Sequence, residues 1–89
     1  MKTLPLQIVR AGLVWQQVAR TADKAIYAGS IGGKVVEWEI IKIRVREPES
    51  IRGSAELPKR EVYPSSSEWG LYGWTINNEH RALNKYNQL

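Results

Sequence analysis

The chain has 89 residues, 43% of them hydrophobic and 25% charged, with a formal net charge of +4. That size and mixture specify a single globular domain spanning 1–89 rather than a disordered chain. Without cysteine, disulfides and thiolate metal sites are excluded; with His80 as the single histidine, a zinc site would need carboxylates for nearly all its ligands.

The opening stretch MKTLPLQIVRAGLV interrupts its apolar run with Pro5, Gln7 and Arg10, which makes it a poor secretory leader. No run approaches the roughly 20 apolar residues of a membrane span. A cytoplasmic protein without membrane association is therefore the expectation. Residues 3–10 place Leu4, Leu6 and Ile8 on one side of an extended segment, and Pro5, lacking a backbone donor, assigns any strand here to a sheet edge. A helix over residues 6–20 is the second reading; it collects Leu6, Val9 and Leu13 but meets Gly12, Gln16 and Gln17.

Residues 13–20, LVWQQVAR, are rich in strand formers, and TADK at 21–24 turns the chain back. A four-residue loop sets Arg20 opposite Ala25 and Val18 opposite Tyr27. A three-residue loop sets Trp15 over Gly29. Both registers remain open.

The stretch from Ala25 to Arg46 is the organising element. Gly32-Gly33 closes a tight hairpin, because both glycines tolerate positive φ. Folding outward pairs Ile31 with Lys34, Gly29 with Val36, Tyr27 with Trp38 and Ala25 with Ile40, all on the side read as core. Ile26, Glu37 and Glu39 then share the outer face. After Ile40 the alternation changes parity, with Ile41, Ile43 and Val45 apolar. A β-bulge at Ile40-Ile41 would return them to the core face. Ile41 to Arg46 overrun the second strand, so they require another partner, either an N-terminal strand or one near Trp74.

Between Glu47 and Ser67, Pro48, Gly53, Pro58 and Pro64 break regular structure. Beyond this loop, Ser66 or Ser67 caps a short turn stopped by Gly70, and Tyr72 to Ile76 forms a strand. Asn77 or Asn78 then caps a terminal helix with Ala82, Leu83, Tyr86 and Leu89 on its docking face and Lys85 on its polar face. The expected fold is α+β: a curved antiparallel sheet of about four strands with one C-terminal helix packed on a face.

This order resembles a set of short uncharacterised proteins of phages, mobile elements and bacterial genomes. A GGK hairpin ending in VEWEIIKIR is followed by a variable loop, EVYPSSSEWGLYGW and a helix. The matching positions are Glu37, Trp38, Glu39, Pro64, Ser65, Glu68, Trp69, Gly70, Trp74, Ala82 and Tyr86, within a span from about Trp15 to Leu89. Trp69 stands where that pattern has phenylalanine, and Gly73 where it has alanine. The resemblance implies an architecture and a mobile-element origin; it transfers no activity.

Residues with chemical potential read mostly as structure. His80 is an exposed helix histidine, and Ser65-Ser66-Ser67 lacks the Gly-x-Ser-x-Gly surround of a nucleophile. Gly32-Gly33-Lys34 lies between strands and is no phosphate cradle. Glu37 and Glu39 read as a solvated outer face. Lys42, Arg44 and Arg46 line one side of the third strand, extended by Arg52, Lys59 and Arg60, and offer an anion-binding surface. Tyr63 and Trp69 are the aromatic candidates for a binding surface, whereas Trp38 and Trp74 are read as core.

The functional expectation is a small non-enzymatic binding protein that occupies a surface of a host macromolecule, such as an inhibitor of a host defence complex. It would use a host protein or protein complex as partner and no cofactor. The alternative is a nucleic-acid-binding module working through the basic surface; a homodimer is also open.

Overall fold

In the computed structural model the described residues are 1–50 and 56–89. Among them the strands are β1 (Gln7–Arg10), β2 (Leu13–Arg20), β3 (Lys24–Ile31), β4 (Lys34–Lys42), β5 (Arg44–Arg46), β6 (Glu49–Ser50), β7 (Glu56–Leu57), β8 (Arg60–Val62) and β9 (Gly73–Ile76). A 3₁₀ turn covers Ser66–Glu68 and the helix α1 covers Glu79–Gln88. The main sheet is open and antiparallel, in the order β1-β2-β3-β4-β9, while β5 pairs with β8 and β6 with β7. The α+β architecture is as expected, with five strands in the main sheet rather than about four.

Both faces of this sheet are covered. Ile26 and Ile40 are fully buried on the helix side with Ala82, and Trp38, Ile76, Tyr86 and Leu89 pack around them. Leu4, Trp15, Ala25, Tyr27, Ile41 and Ile43 form a second core on the opposite side, joined by Tyr63 and Trp69. A sheet buried on two faces makes its central strands continuously apolar instead of alternating. That is the origin of the adjacent isoleucines. Ile40 pairs with Ile26 and Ile41 with Ala25, one to each core, and the ladder runs through them without a bulge.

The bulge lies nearer the turn. Ser30 pairs with Val35 but Gly29 pairs with Glu37, so Val36 is the extra residue on β4. This one-residue shift changes the partners expected for the rest of β4. Trp38 faces the helix but stands opposite Ala28 instead of Tyr27, and Glu39, opposite Tyr27, faces the second core. A second bulge, at Val18, resolves the two registers left open for β2. Arg20 pairs with Ala25 near the loop, while Trp15 pairs with Gly29 beyond the bulge.

The N-terminal strand is an edge, paired to β2 through the two-residue turn Ala11-Gly12, where φ is 54° and 79°. The overrunning half of the hairpin is shared between two partners. β9 pairs with Trp38–Ile41, and Arg44–Arg46 leave the main sheet to pair with Arg60–Val62. The terminal helix is capped by Asn78, whose side chain accepts from the Arg81 amide at 3.0 Å. At its other end Lys24 Nζ donates to the Tyr86 carbonyl at 2.7 Å, the favourable place for a cation. Leu83, expected on the docking face, is 41% exposed; Ala82 takes the central position.

Two tryptophans lie flat on glycines. A Cβ on Gly29 would stand 2.6 Å from the Trp15 ring, and one on Gly73 2.6 Å from the Trp69 ring. In the second contact the large indole of Trp69 needs a residue without a side chain beneath it. Gly73→Ala should therefore destabilise the fold by about 1–3 kcal/mol, the usual cost of overpacking. Adding Trp69→Phe should recover part of that loss, with a coupling of about 0.5–3 kcal/mol in a double-mutant cycle from chemical unfolding. Additive effects would show that the two residues are independent.

Candidate functional site

The β4 bulge turns Glu39 inward, and its surroundings follow from the need to satisfy a buried carboxylate. Glu39 is 5% exposed. Arg10, at the end of β1, forms an ion pair with it through Nη2, and the Tyr63 hydroxyl donates to its other oxygen. Burial beside that carboxylate pushes the Tyr63 hydroxyl far up, so it remains a protonated donor. The Arg10 guanidinium lies over the Trp15 ring at 5.3 Å and over the Tyr63 ring at 5.5 Å, a stacked setting that suits its plane. The expectation of Glu39 on a solvated outer face is thus corrected.

Beside this network a groove of about 590 Å³ runs between the Ala11-Gly12 turn and the Pro64–Trp69 segment. Leu13, Trp15, Pro64 and Trp69 give it apolar walls, and Glu37, Glu39 and Thr75 lie along it from the sheet. Trp69 is held in place from several sides. Its ring rests on Gly73, stacks on Tyr63 with centroids 6.3 Å apart, and its Nε1 donates to Thr75 Oγ1 at 3.0 Å. The 3₁₀ turn before it is fixed by a capping box, in which Ser65 N donates to the Glu68 carboxylate at 2.9 Å. Tyr63 and Trp69 are therefore brought together, with Trp69 half-buried in the groove wall.

The basic residues do not form one surface. Lys42 lies on the helix side of the sheet, its Nζ 5.9 Å from the Trp74 ring centre, and Lys85 approaches the same ring at 4.1 Å. Lys42 therefore does not share a face with Glu37 and Glu39. Arg44 stacks on Tyr72 at 4.2 Å and pairs with Glu68. Arg46 and Arg60 stand opposite each other in the β5–β8 ribbon, with exposed Lys59 adjacent in sequence. Arg52 lies outside the described residues. Trp38 and Trp74 are half-buried on the helix side rather than fully enclosed. His80 is exposed, as expected, and the described residues contain no cluster of three metal-ligating side chains. No described helix is long and apolar enough to cross a membrane.

The sequence reading missed Arg10, Leu13 and Trp15 as site residues. The available signal was Ala11-Gly12 between two apolar-rich strands, a weaker hairpin mark than Gly32-Gly33. Comparison with family models, with curated proteins and with solved structures finds no match.

A second ion pair holds the cover over the sheet. Arg20 binds Glu61 through both terminal guanidinium nitrogens, at 2.7 and 2.6 Å, and the Leu4 amide donates to the same carboxylate at 2.9 Å. These donors, Arg20 first, hold the Glu61 carboxyl below its ordinary range. A depressed folded pKa adds stability above the unfolded value, about 4.3, and that stability is lost as pH falls through the folded value. Melting temperature should accordingly fall on acidification below about pH 5. Arg20→Gln should lower it at neutral pH and flatten the acid slope. Parallel curves for the two proteins would show that the pair is not linked to folding.

Proposed function

We propose that this chain is a small binding protein without catalytic chemistry, which occupies a surface of a host macromolecule and holds it in the groove beside Trp69. The observation that carries this reading is the groove itself. It is concave, of a size found for ligand sites, apolar in its walls and sparing in polar groups. Trp69 is anchored on three sides, so its exposed portion is offered with little side-chain entropy left to lose, as in the rigid aromatic anchors of protein interfaces. The resemblance to phage and mobile-element proteins fits a host protein or complex as partner, including inhibition of a defence complex.

Nucleic-acid binding is the second reading. It is favoured by Arg46 and Arg60 facing each other across the ribbon, where Lys2 also bridges Arg60.

One assay separates the readings. The tagged chain is used to capture its partner from a host lysate, and the recovered partner is titrated at about 50 and about 300 mM salt. Leu13→Ala and Trp69→Ala should each weaken binding by roughly tenfold or more, the effect of losing an interface anchor. The triple reversal Arg46→Glu, Lys59→Glu, Arg60→Glu should leave it nearly intact, with melts confirming that all variants are folded. Loss of binding in the triple reversal, with a steep fall in salt, would transfer the function to the basic ribbon.

A further inference from the structure

Resting on the groove reading, we infer that the groove receives an arginine side chain presented on an extended peptide segment, with Glu37 as its counter-charge. Glu37 belongs to a cross-strand row running Ile8, Trp15, Gly29, Glu37. Because Gly29 has no side chain, the Trp15 ring fills the middle of that row. The Glu37 carboxylate stands at its end, half-buried, making no hydrogen bond or ion pair with any described residue.

The nearby cations do not neutralise it. Arg10 lines the same groove but is committed to Glu39 and stacked between Trp15 and Tyr63. Lys34 pairs with Ile31 at the turn and forms no ion pair with Glu37. The charges lining the groove are thus Arg10, Glu39 and Glu37, a net of 1 − 2 = −1 in a chain of net charge +4. A guanidinium would satisfy both oxygens of that carboxylate as a fork, a charge-assisted pair that no described residue provides. The stem of that arginine would lie along Leu13 and Trp69, where methylenes and an indole edge suit it.

Strand pairing favours a peptide over a free amine. β9 pairs with β4 over Trp38–Ile41 only, so Lys34–Glu37 has no described strand on that side. An extended segment has room there to run beside β4 and direct one side chain toward Glu37.

The test titrates the full chain with a blocked Ala-Val-Arg-Val-Ala peptide and with its citrulline counterpart, which keeps the shape and removes the charge. Binding is read from the backbone and indole NMR signals. The arginine peptide should shift Leu13, Glu37 and the Trp69 indole, and bind roughly 10–100-fold tighter than the citrulline peptide. Glu37→Gln should remove that difference. Equal affinities, an unaffected preference in Glu37→Gln, or no binding of either peptide would overturn the inference. The groove reading fails separately, if Trp69→Ala still captures the macromolecular partner. Should both peptides shift Leu13 and Trp69 equally, the groove stands and its charge selectivity is withdrawn.

Discussion

A carboxylate turned into the interior has to be met by a cation and a donor, and much of the architecture can be read as the consequence of meeting Glu39. One extra residue at Val36 places Glu39 opposite Tyr27. From there the Arg10 end of β1 must reach across the sheet, and Tyr63 must lie above it. Arg10 also needs its flat faces covered, which Trp15 and Tyr63 provide. Removing one partner of such a network is costlier than the network is stabilising, because the carboxylate would remain buried without it. The arrangement therefore acts as a constraint on position more than as a source of free energy.

The two cores are built by different means. On the helix side, aliphatic side chains meet the small Ala82, and a short amphipathic helix gains the stability it lacks in isolation. The opposite core is closed by pieces with little regular structure: the segment around Leu4, the β5–β8 ribbon, and Pro64 to Trp69. Such pieces have few ladder hydrogen bonds, so polar clamps hold them down. Glu61 receives Arg20 and the Leu4 amide, Glu68 receives Arg44 and Ser65, and the Tyr27 hydroxyl donates to the Pro5 carbonyl at 2.6 Å. The indole-on-glycine contacts add packing where the cover is thin. Both place a large ring where a side chain of the sheet would otherwise stand.

Fold class, the Gly-Gly hairpin and the capped terminal helix were legible because local chemistry determines them. Paired positive φ demands glycines, and an Asn before an acidic first turn marks a helix start. The bulge was legible in kind but misplaced. A change of parity at Ile40-Ile41 signals either an inserted residue or a sheet buried on both faces, and one strand's pattern cannot distinguish them. The second face was hidden because its cover is assembled from residues far apart in the chain. The same reason concealed the site. Glu37 and Glu39 look alike in sequence, yet only Glu39 meets a cation 29 residues away. Tyr63 and Trp69 were legible as a pair, whereas the basic residues, adjacent in sequence, are distributed over the helix face, a Tyr72 stack and the ribbon.

The groove follows from these constraints rather than standing apart from them. Arg10 satisfies Glu39 only by leaning inward over Trp15, and in doing so it leaves the Ala11-Gly12 turn as a free rim. Trp69 reaches the other rim only because Gly73 lets its ring lie flat on β9. Between two rims fixed by separate requirements, the sheet surface at Glu37 stays uncovered. The neighbouring position on β3 cannot cover it, because Gly29 has no side chain and Trp15 occupies the space above it. A domain this small has limited apolar area to bury. That one of its apolar surfaces is instead left open, around a carboxylate with no partner among the described residues, is the physical reason for proposing a ligand there.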